Sequence, residues 1–391
     1  MRSLVCGLAC GLLWVSACGG DTTSEVRIGD VGAKLAIVTS RDSMNMSGAI
    51  NTVAIPSLKV NAGIDATVDP DTVLHVIGGK LYLLNRFTNT LRIYDPTSFA
   101  APTEIKVTSD SGKMTMYPQD FVIAKDKIFI SFNGNTADTA VGIIDVAQPS
   151  AHVTRYVNVA NAAADKDGGP DPAALYVCND KVYVALSDLD MNYQPTGAGR
   201  VAVIDATTET STGVIQLTKE NPGHIVQAAD DCTQALVGSG PLGAAPTDTN
   251  AGIDAVDLTA KTATSMFTST QIGGSVASIE VALPTLAYAV VLFNPVTTSG
   301  GYINLASSKV VAFNPSKKTV IGDASGVAGY IPFARVSGSG QLFIGVDVYA
   351  TLPDKGTLTG GLYVGKADGT NITDGATGIS LGQSPVAIDF N

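Results

Sequence analysis

Three observations predict an all-β ring: a seven-bladed β-propeller of four-stranded antiparallel blades, closed by a C-terminal strand that completes the N-terminal blade. A strand that ends in an acidic or amide residue and a polar turn recurs along the chain. A second set of strands lies just upstream of each copy. A third set precedes six of seven partners, and its missing member stands at the far end of the chain. Gly is abundant, with 41 residues, which suits many tight turns, and no long stretch has helical periodicity.

The recurring unit is read from "LRIYDPTS" (91–98), "VGIIDVAQ" (141–148), "VAVIDATT" (201–208), "GIDAVDLTAKT" (252–262) and "KVVAFNPSKKT" (309–319). Its closing residues are Asp95, Asp145, Asp205, Asp257 and Asn314, spaced 50 to 60 residues apart. A period of this size marks propellers and solenoids. Upstream lie "KLYLLN" (80–85), "KIFISF" (127–132), "KVYVAL" (181–186), "TQALVG" (233–238) and "LAYAVVLF" (286–293), with "KLAIVTS" (34–40) and "QLFIGVDV" (341–348) at the ends. The third set is "TVLHVIG" (72–78), "QDFVIA" (119–124), "AALYVC" (173–178), "GHIVQA" (223–228), "VASIEVA" (276–282), "PFARVS" (332–337) and, displaced to the C-terminus, "SPVAIDF" (384–390). A closed ring must seal its first blade to its last, and this offset does so while removing an open edge.

The N-terminus is a separate unit. "MRSLVCGLACGLLWVSACGGD" has one Arg, a short apolar run and then small residues, the pattern of a secretory signal. The run is too short to span a bilayer, which takes roughly 20 apolar residues. Val15-Ser16-Ala17-Cys18 resembles the bacterial lipobox, in which the cysteine is lipidated (palmitate-type acyl chains) and becomes the new N-terminus. The alternatives are an ordinary cleaved signal, or cleavage before Cys10. The expected organisation is a signal peptide at 1–17, a small polar tether at 18–32 and the propeller at 33–391. Gly19, in place of the Asp that retains such proteins at the inner membrane, favours the outer membrane; its periplasmic and surface sides stay open. The expected setting is therefore the bacterial cell envelope.

"LYLLNRFTNTLRIYDPTSF" (81–99) resembles the YVTN-type repeat of surface-layer and secreted propellers, and "VYVALSDLDMNYQPTGAGRVAVIDATTET" is similar with a longer insert. The resemblance runs over most of 33–391 and degenerates in the last two blades. It implies a fold and names no reaction. The recurring Asp is accordingly read as a turn residue that accepts backbone hydrogen bonds.

The net charge of −11 makes nucleic acid a poor partner, because phosphates are repelled. The long connections, 133–140, 187–199, 238–252, 294–308 and 349–361, share one face, which marks it as a binding face. On it, Asp165, Asp167 and Asp171 ("DKDGGPD") form a D-x-D-G-x-x-D run, and Asp188 and Asp190 lie in "DLDMN". Alternating oxygen ligands around a Gly turn suit calcium as the one cofactor the sequence suggests; solvated acidic loops are the alternative. Tyr193, Tyr302 and the channel residue Arg335 complete the ligand-face candidates, and Tyr117 joins the two tyrosines as a sugar-stacking candidate.

His75, His152 and His224 show no metal-ligand spacing, and no G-x-S-x-G or P-loop is present. Polar residues on the innermost strands, among them Asp120, His224, Glu280 and Arg335, are of the kind from which some related propellers build a lactone-hydrolysing site. Cys178 and Cys232 fall beside the short turns of adjacent blades, so a disulfide between blades is expected in an oxidising compartment; two buried free thiols are the alternative. Two functions follow. The first is a monomeric, lipid-anchored binding module that docks an envelope protein or, less readily, a polysaccharide. The second is a lactonase-like or cofactor-dependent enzyme with its site at the channel mouth.

Overall fold

Seven four-stranded antiparallel sheets stand side by side around a central channel, each a sequential meander except that one is completed by the C-terminal strand and another admits the small hairpin of Thr298–Ser299 and Tyr302–Ile303 between its second and third strands. The computed structural model describes residues 34–42, 46–108, 117–147, 152–162, 169–190, 194–228, 231–240, 249–293, 298–299, 302–303, 308–325, 330–347, 361–370 and 377–391. Blades II to VII are lettered by their innermost strands, Thr72–Ile77, Tyr117–Ala124, Pro172–Cys178, Pro222–Gln227, Ser275–Leu283 and Ala334–Val336. Blade I is the exception: its innermost strand is the C-terminal Ser384–Phe390, which pairs with the N-terminal Leu35–Arg41. The circular offset read from the sequence is thus the closure of the ring.

Burial follows strand position. The second strands Lys80–Asn85 and Lys181–Leu186 are buried along nearly their whole length, because neighbouring blades cover both faces. The outermost Thr210–Glu220 alternates exposed and buried residues, as a strand with one wet face must. Between blades III and IV, Phe129, Val141 and Ile143 pack on Val182, Val184 and Leu186 in one apolar cluster. Such packing is non-directional and sets no precise register between blades.

The recurring acids act at the outer turns. Asp95 Oδ1 accepts from the Thr97 N–H (3.0 Å) and Thr97 Oγ1 (2.6 Å). Asp205 Oδ1 takes the Thr207 and Thr208 N–H groups, both at 2.9 Å, and Asp257 Oδ1 those of Thr259 and Ala260. Backbone hydrogen bonds, that of Thr208 first, hold the Asp205 carboxyl below its ordinary range. Asp145 differs: Arg155 donates to both its oxygens (2.9 and 2.8 Å) and to Glu209 of blade IV (2.8 Å), which also pairs with Lys127 (2.8 Å).

In a meander, the turns between first and second strands and between third and fourth strands fall on one face. The second-to-third loops and the blade crossings fall on the other. The first, short-turn face carries the short first-to-second turns, with Gly78-Gly79, Lys125-Asp126 and Asn179-Asp180 as two-residue turns, beside longer third-to-fourth connections at 95–102, 146–154 and 367–376. Cys178 and Cys232 lie on this face and are joined across blades IV and V, with Cα atoms 5.8 Å apart. They border an apolar cluster containing Tyr176, Val203, Ile225 and Val237.

Replacing both cysteines with serine is expected to lower the unfolding free energy by about 2–4 kcal/mol. This will register as a lower urea midpoint with the β-sheet circular dichroism retained. The Asp145–Arg155–Glu209 network carries a pH signature. The Arg155 hydrogen bonds lower the Asp145 pKa; burial tends to raise Glu209, but Lys127 and Arg155 outweigh it and the net shift is down. Depressed carboxylate values stabilise the fold above the unfolded values of 3.8 and 4.5, and that contribution disappears as pH falls through the folded values. Because Arg155 and Asp145 are more than a third exposed, the pair contributes about 1 kcal/mol or less. The difference in urea midpoint between wild type and Arg155→Ala will hold from pH 7 to about 5 and shrink below about 4.

Candidate functional site

The innermost strands bring their polar side chains to the joints between blades. Asp389 of blade I, 1% exposed, accepts the Val76 N–H of blade II at 2.6 Å. His75 Nε2 of blade II meets Asp120 Oδ1 of blade III at 3.2 Å. Asp120 Oδ2 in turn accepts the Leu175 N–H of blade IV at 2.9 Å, and Ser131 Oγ donates to the Ala173 carbonyl at 2.7 Å. His224 Nδ1 of blade V accepts the Ile279 N–H at 3.3 Å, which leaves the proton of the neutral ring on Nε2. Glu280 Oε1 of blade VI accepts the Val336 N–H at 3.2 Å. Arg335 of blade VII pairs with Glu280 at 3.2 Å and reaches Asp389 of blade I at 4.0 Å.

One joint is built differently. The blade IV strand Pro172–Cys178 ("PAALYVC") has no acid, base or amide side chain to offer blade V. There the disulfide stands, together with Ser187 Oγ donating to the Pro222 carbonyl at 3.1 Å. The channel polar groups picked out as candidates for chemistry thus serve as acceptors and counter-charges that fix each blade to the next.

A cavity of about 320 Å³ occupies the channel. It is lined by the leading halves of the innermost strands, including His75, Asp120, His224 and Arg335, and by Arg86 from a second-to-third turn. It therefore lies toward the long-loop face, with a volume at the lower end for small-molecule sites.

The sequence-derived candidates fall in different places. Asp188 is buried, 1% exposed, and its carboxylate turns toward Arg200 (3.9 Å) instead of toward solvent. Asp190 Oδ1 accepts the Gln194 N–H at 2.9 Å, closing its own loop. Asp171 is buried and accepts the Leu189 N–H at 3.0 Å. Asp165, Asp167, Tyr193 and Cys18 lie outside the described residues. Tyr302 belongs to a two-residue strand, Tyr302–Ile303, paired with Thr298–Ser299. Among the described residues, no group of three His, Cys, Asp or Glu is arranged to hold a metal ion.

The exposed apolar side chains were not singled out as a group in the sequence. Met46 (76% exposed), Phe87 (64%) and Tyr117 (60%) are the most exposed large apolar residues among those described. All three lie on the long-loop face, in the neighbouring blades I, II and III. The available signal was local: "SMNMS" (43–47) and "KMTMY" (113–117) set apolar residues among small polar ones.

No family model matches the sequence, and no curated protein matches it. Solved structures share the fold. A functionally unknown protein from Desulfotomaculum acetoxidans aligns at TM-score 0.57 and 13% identity, over 92% of this chain and 99% of that one. Hydrazine synthase of Kuenenia stuttgartiensis aligns at 0.53 and 12%, over 74% of each chain. The dihydro-heme d1 dehydrogenase NirN, in complex with DHE, aligns at 0.53 and 11%, over 91% of this chain and 75% of that one. At such identities the likeness is one of fold.

Arg335 is the shared cation of two buried carboxylates, Glu280 and Asp389, at the joints on either side of blade VII. Arg335→Ala removes it and is expected to destabilise the ring by about 2–3 kcal/mol, at or just below the roughly 3–5 kcal/mol for a fully broken buried pair because Arg335 keeps some solvent contact. Urea unfolding followed by tyrosine fluorescence measures the loss.

Proposed function

We propose that this protein is a lipid-anchored propeller of the bacterial cell envelope, of YVTN type, that acts as a binding module through its long-loop face. One observation carries the reading: Met46, Phe87 and Tyr117 stand exposed on three successive blades of that face. Large apolar side chains grouped on one face mark interaction surfaces, and aromatic residues are enriched in them. The lipobox-like Val15-Ser16-Ala17-Cys18 supports the anchor, and the outer membrane is the expected site.

The second reading is an enzyme at the channel mouth, favoured by the cavity of about 320 Å³ there. It ranks lower because Asp120, His224, Glu280 and Arg335 already hold neighbouring blades.

Chemical cross-linking in intact cells, followed by affinity capture and mass spectrometry, tests the proposal. An envelope protein cross-linked through blades I to III is expected. The double variant Phe87→Ala/Tyr117→Ala is expected to reduce its capture at least about tenfold, since buried aromatic anchors each contribute on the order of 1–2 kcal/mol. Capture unchanged in that variant, or cross-links confined to the opposite face, would overturn the assignment of the face. Recovery of cell-wall polysaccharide in place of protein would replace the partner class. Cys18→Ser is expected to move the protein out of the membrane fraction; full retention there would refute the anchor.

A further inference from the structure

The chain enters and leaves the ring on the short-turn face. The Lys34 and Leu35 N–H groups donate to the Asn391 carbonyl at 2.9 and 3.0 Å, so residue 34 is fixed at that face beside the C-terminus. Any anchor at Cys18 is attached through the segment 18–33, which joins the ring here. A flexible chain of that length has a mean span of about 20 Å. A linker of that reach would not by itself fix which face meets the bilayer, so under the anchored reading surface chemistry would choose the orientation.

The two faces differ in that chemistry. Ten of the sixteen lysines sit in or beside the turns of the short-turn face, with Lys59, Lys80, Lys125, Lys261, Lys317 and Lys318 exposed at its tips. Some pair with turn acids, as Lys80 with Asp95 (3.6 Å) and Lys125 with Asp180 (2.7 Å), so this face is close to neutral overall. Leu283, 48% exposed, adds an apolar side chain at the turn that ends the innermost strand of blade VI. Among the described residues in or beside the opposite connecting loops, Arg41, Arg86 and Lys106 stand against Asp42, Asp71, Asp138, Asp190, Glu220 and Asp323, so this face carries an excess of acid. Turning the ring over would press this acidic face on anionic headgroups, a repulsion felt within a Debye length of about 8–10 Å.

We propose that the short-turn face is a lipid-contact surface. Its lysine tips and Leu283 rest on the anionic phospholipid headgroups of the anchoring bilayer, and Met46, Phe87 and Tyr117 are thereby directed away from it. The proposal rests on the anchored reading above and adds which face meets the lipid.

The sequence supplies a clean reporter, because Trp14 is the single tryptophan and lies in the signal segment. The chain from Cys18 onward is coupled through that thiol to maleimide lipid in vesicles containing anionic phospholipid, Cys178 and Cys232 being joined. Trp is introduced as Leu283→Trp or as Phe87→Trp, and quenching by brominated lipid is compared. Quenching is expected to be several-fold stronger for Leu283→Trp. The difference is expected to shrink with Lys317→Glu/Lys318→Glu, or in about 0.5 M salt, where screening shortens to roughly 4 Å. The pair Lys318→Trp and Met46→Trp repeats the comparison should either first reporter perturb folding. Equal quenching of the two faces, or stronger quenching at 87 and 46, would overturn the proposal. Because the attachment is chemical, the outcome is independent of whether Cys18 is acylated in cells, which the fractionation of Cys18→Ser decides separately.

Discussion

Everything in this fold depends on one sheet in which the two ends of the chain meet. Leu35–Arg41 pairs with Ser384–Phe390, from Ala36 opposite Phe390 to Arg41 opposite Ser384, with a register shift at Thr39/Ser40. The entropy of closing so long a loop grows only slowly with length, so the cost is bearable once the intervening blades have formed. The pairing delivers more than its own ladder. It brings Asp389 to the Val76 N–H on one side and to Arg335 on the other, so that blade I is held to both neighbours by one carboxylate. Ser384 Oγ adds a bond to Asp347 of blade VII at 2.8 Å, and Arg41 pairs with the same carboxylate.

Apolar packing between blades supplies most of the burial but is non-directional. Directional bonds at the channel add a specific alignment of one innermost strand to the next. At four joints an acceptor on one innermost strand (Asp389, Asp120, His224 or Glu280) takes an N–H group of the next, and at the buried Asp389 and Glu280 leaving either group unmatched would cost about 1–3 kcal/mol. Where blade IV presents only "PAALYVC", a covalent bond on the short-turn face does the same work. The disulfide is therefore explained by what its neighbouring strand lacks.

Much of this was legible in the sequence. The strand sets, the blade number and the displaced C-terminal strand all follow from alternation and spacing, which local chemistry fixes. So does the role of Asp95, Asp205 and Asp257, whose Thr-rich turns announce backbone acceptors. The four-residue helix Ser269–Ile272 was not foreseen; its signal is a capping box, Thr268 with Gln271, too short to show a period. Side-chain direction in irregular loops was also beyond reach. Asp188 stands in a polar stretch that reads as solvated, yet its carboxylate turns inward to Arg200. Conversely, nothing in a period-two pattern reveals that Phe87 and Tyr117 stay exposed, because both sit where the pattern stops, at a turn and at the first residue of a strand.

The same geometry explains why the two faces can serve different ends. A first-to-second turn joins adjacent strands at the tight end of a blade, so it is held to a few residues, and polar Lys, Asp, Asn and Gly residues fill it. The second-to-third loops and blade crossings carry no such restriction and can lengthen without disturbing the ladder. Binding residues accumulate on the face where chain length is cheap. Attachment is best placed on the other face, where the ends already meet and where no loop need be displaced. The proposed anchor at the short-turn face and the proposed recognition surface at the long-loop face would both draw on one connectivity, the meander closed by its own C-terminal strand.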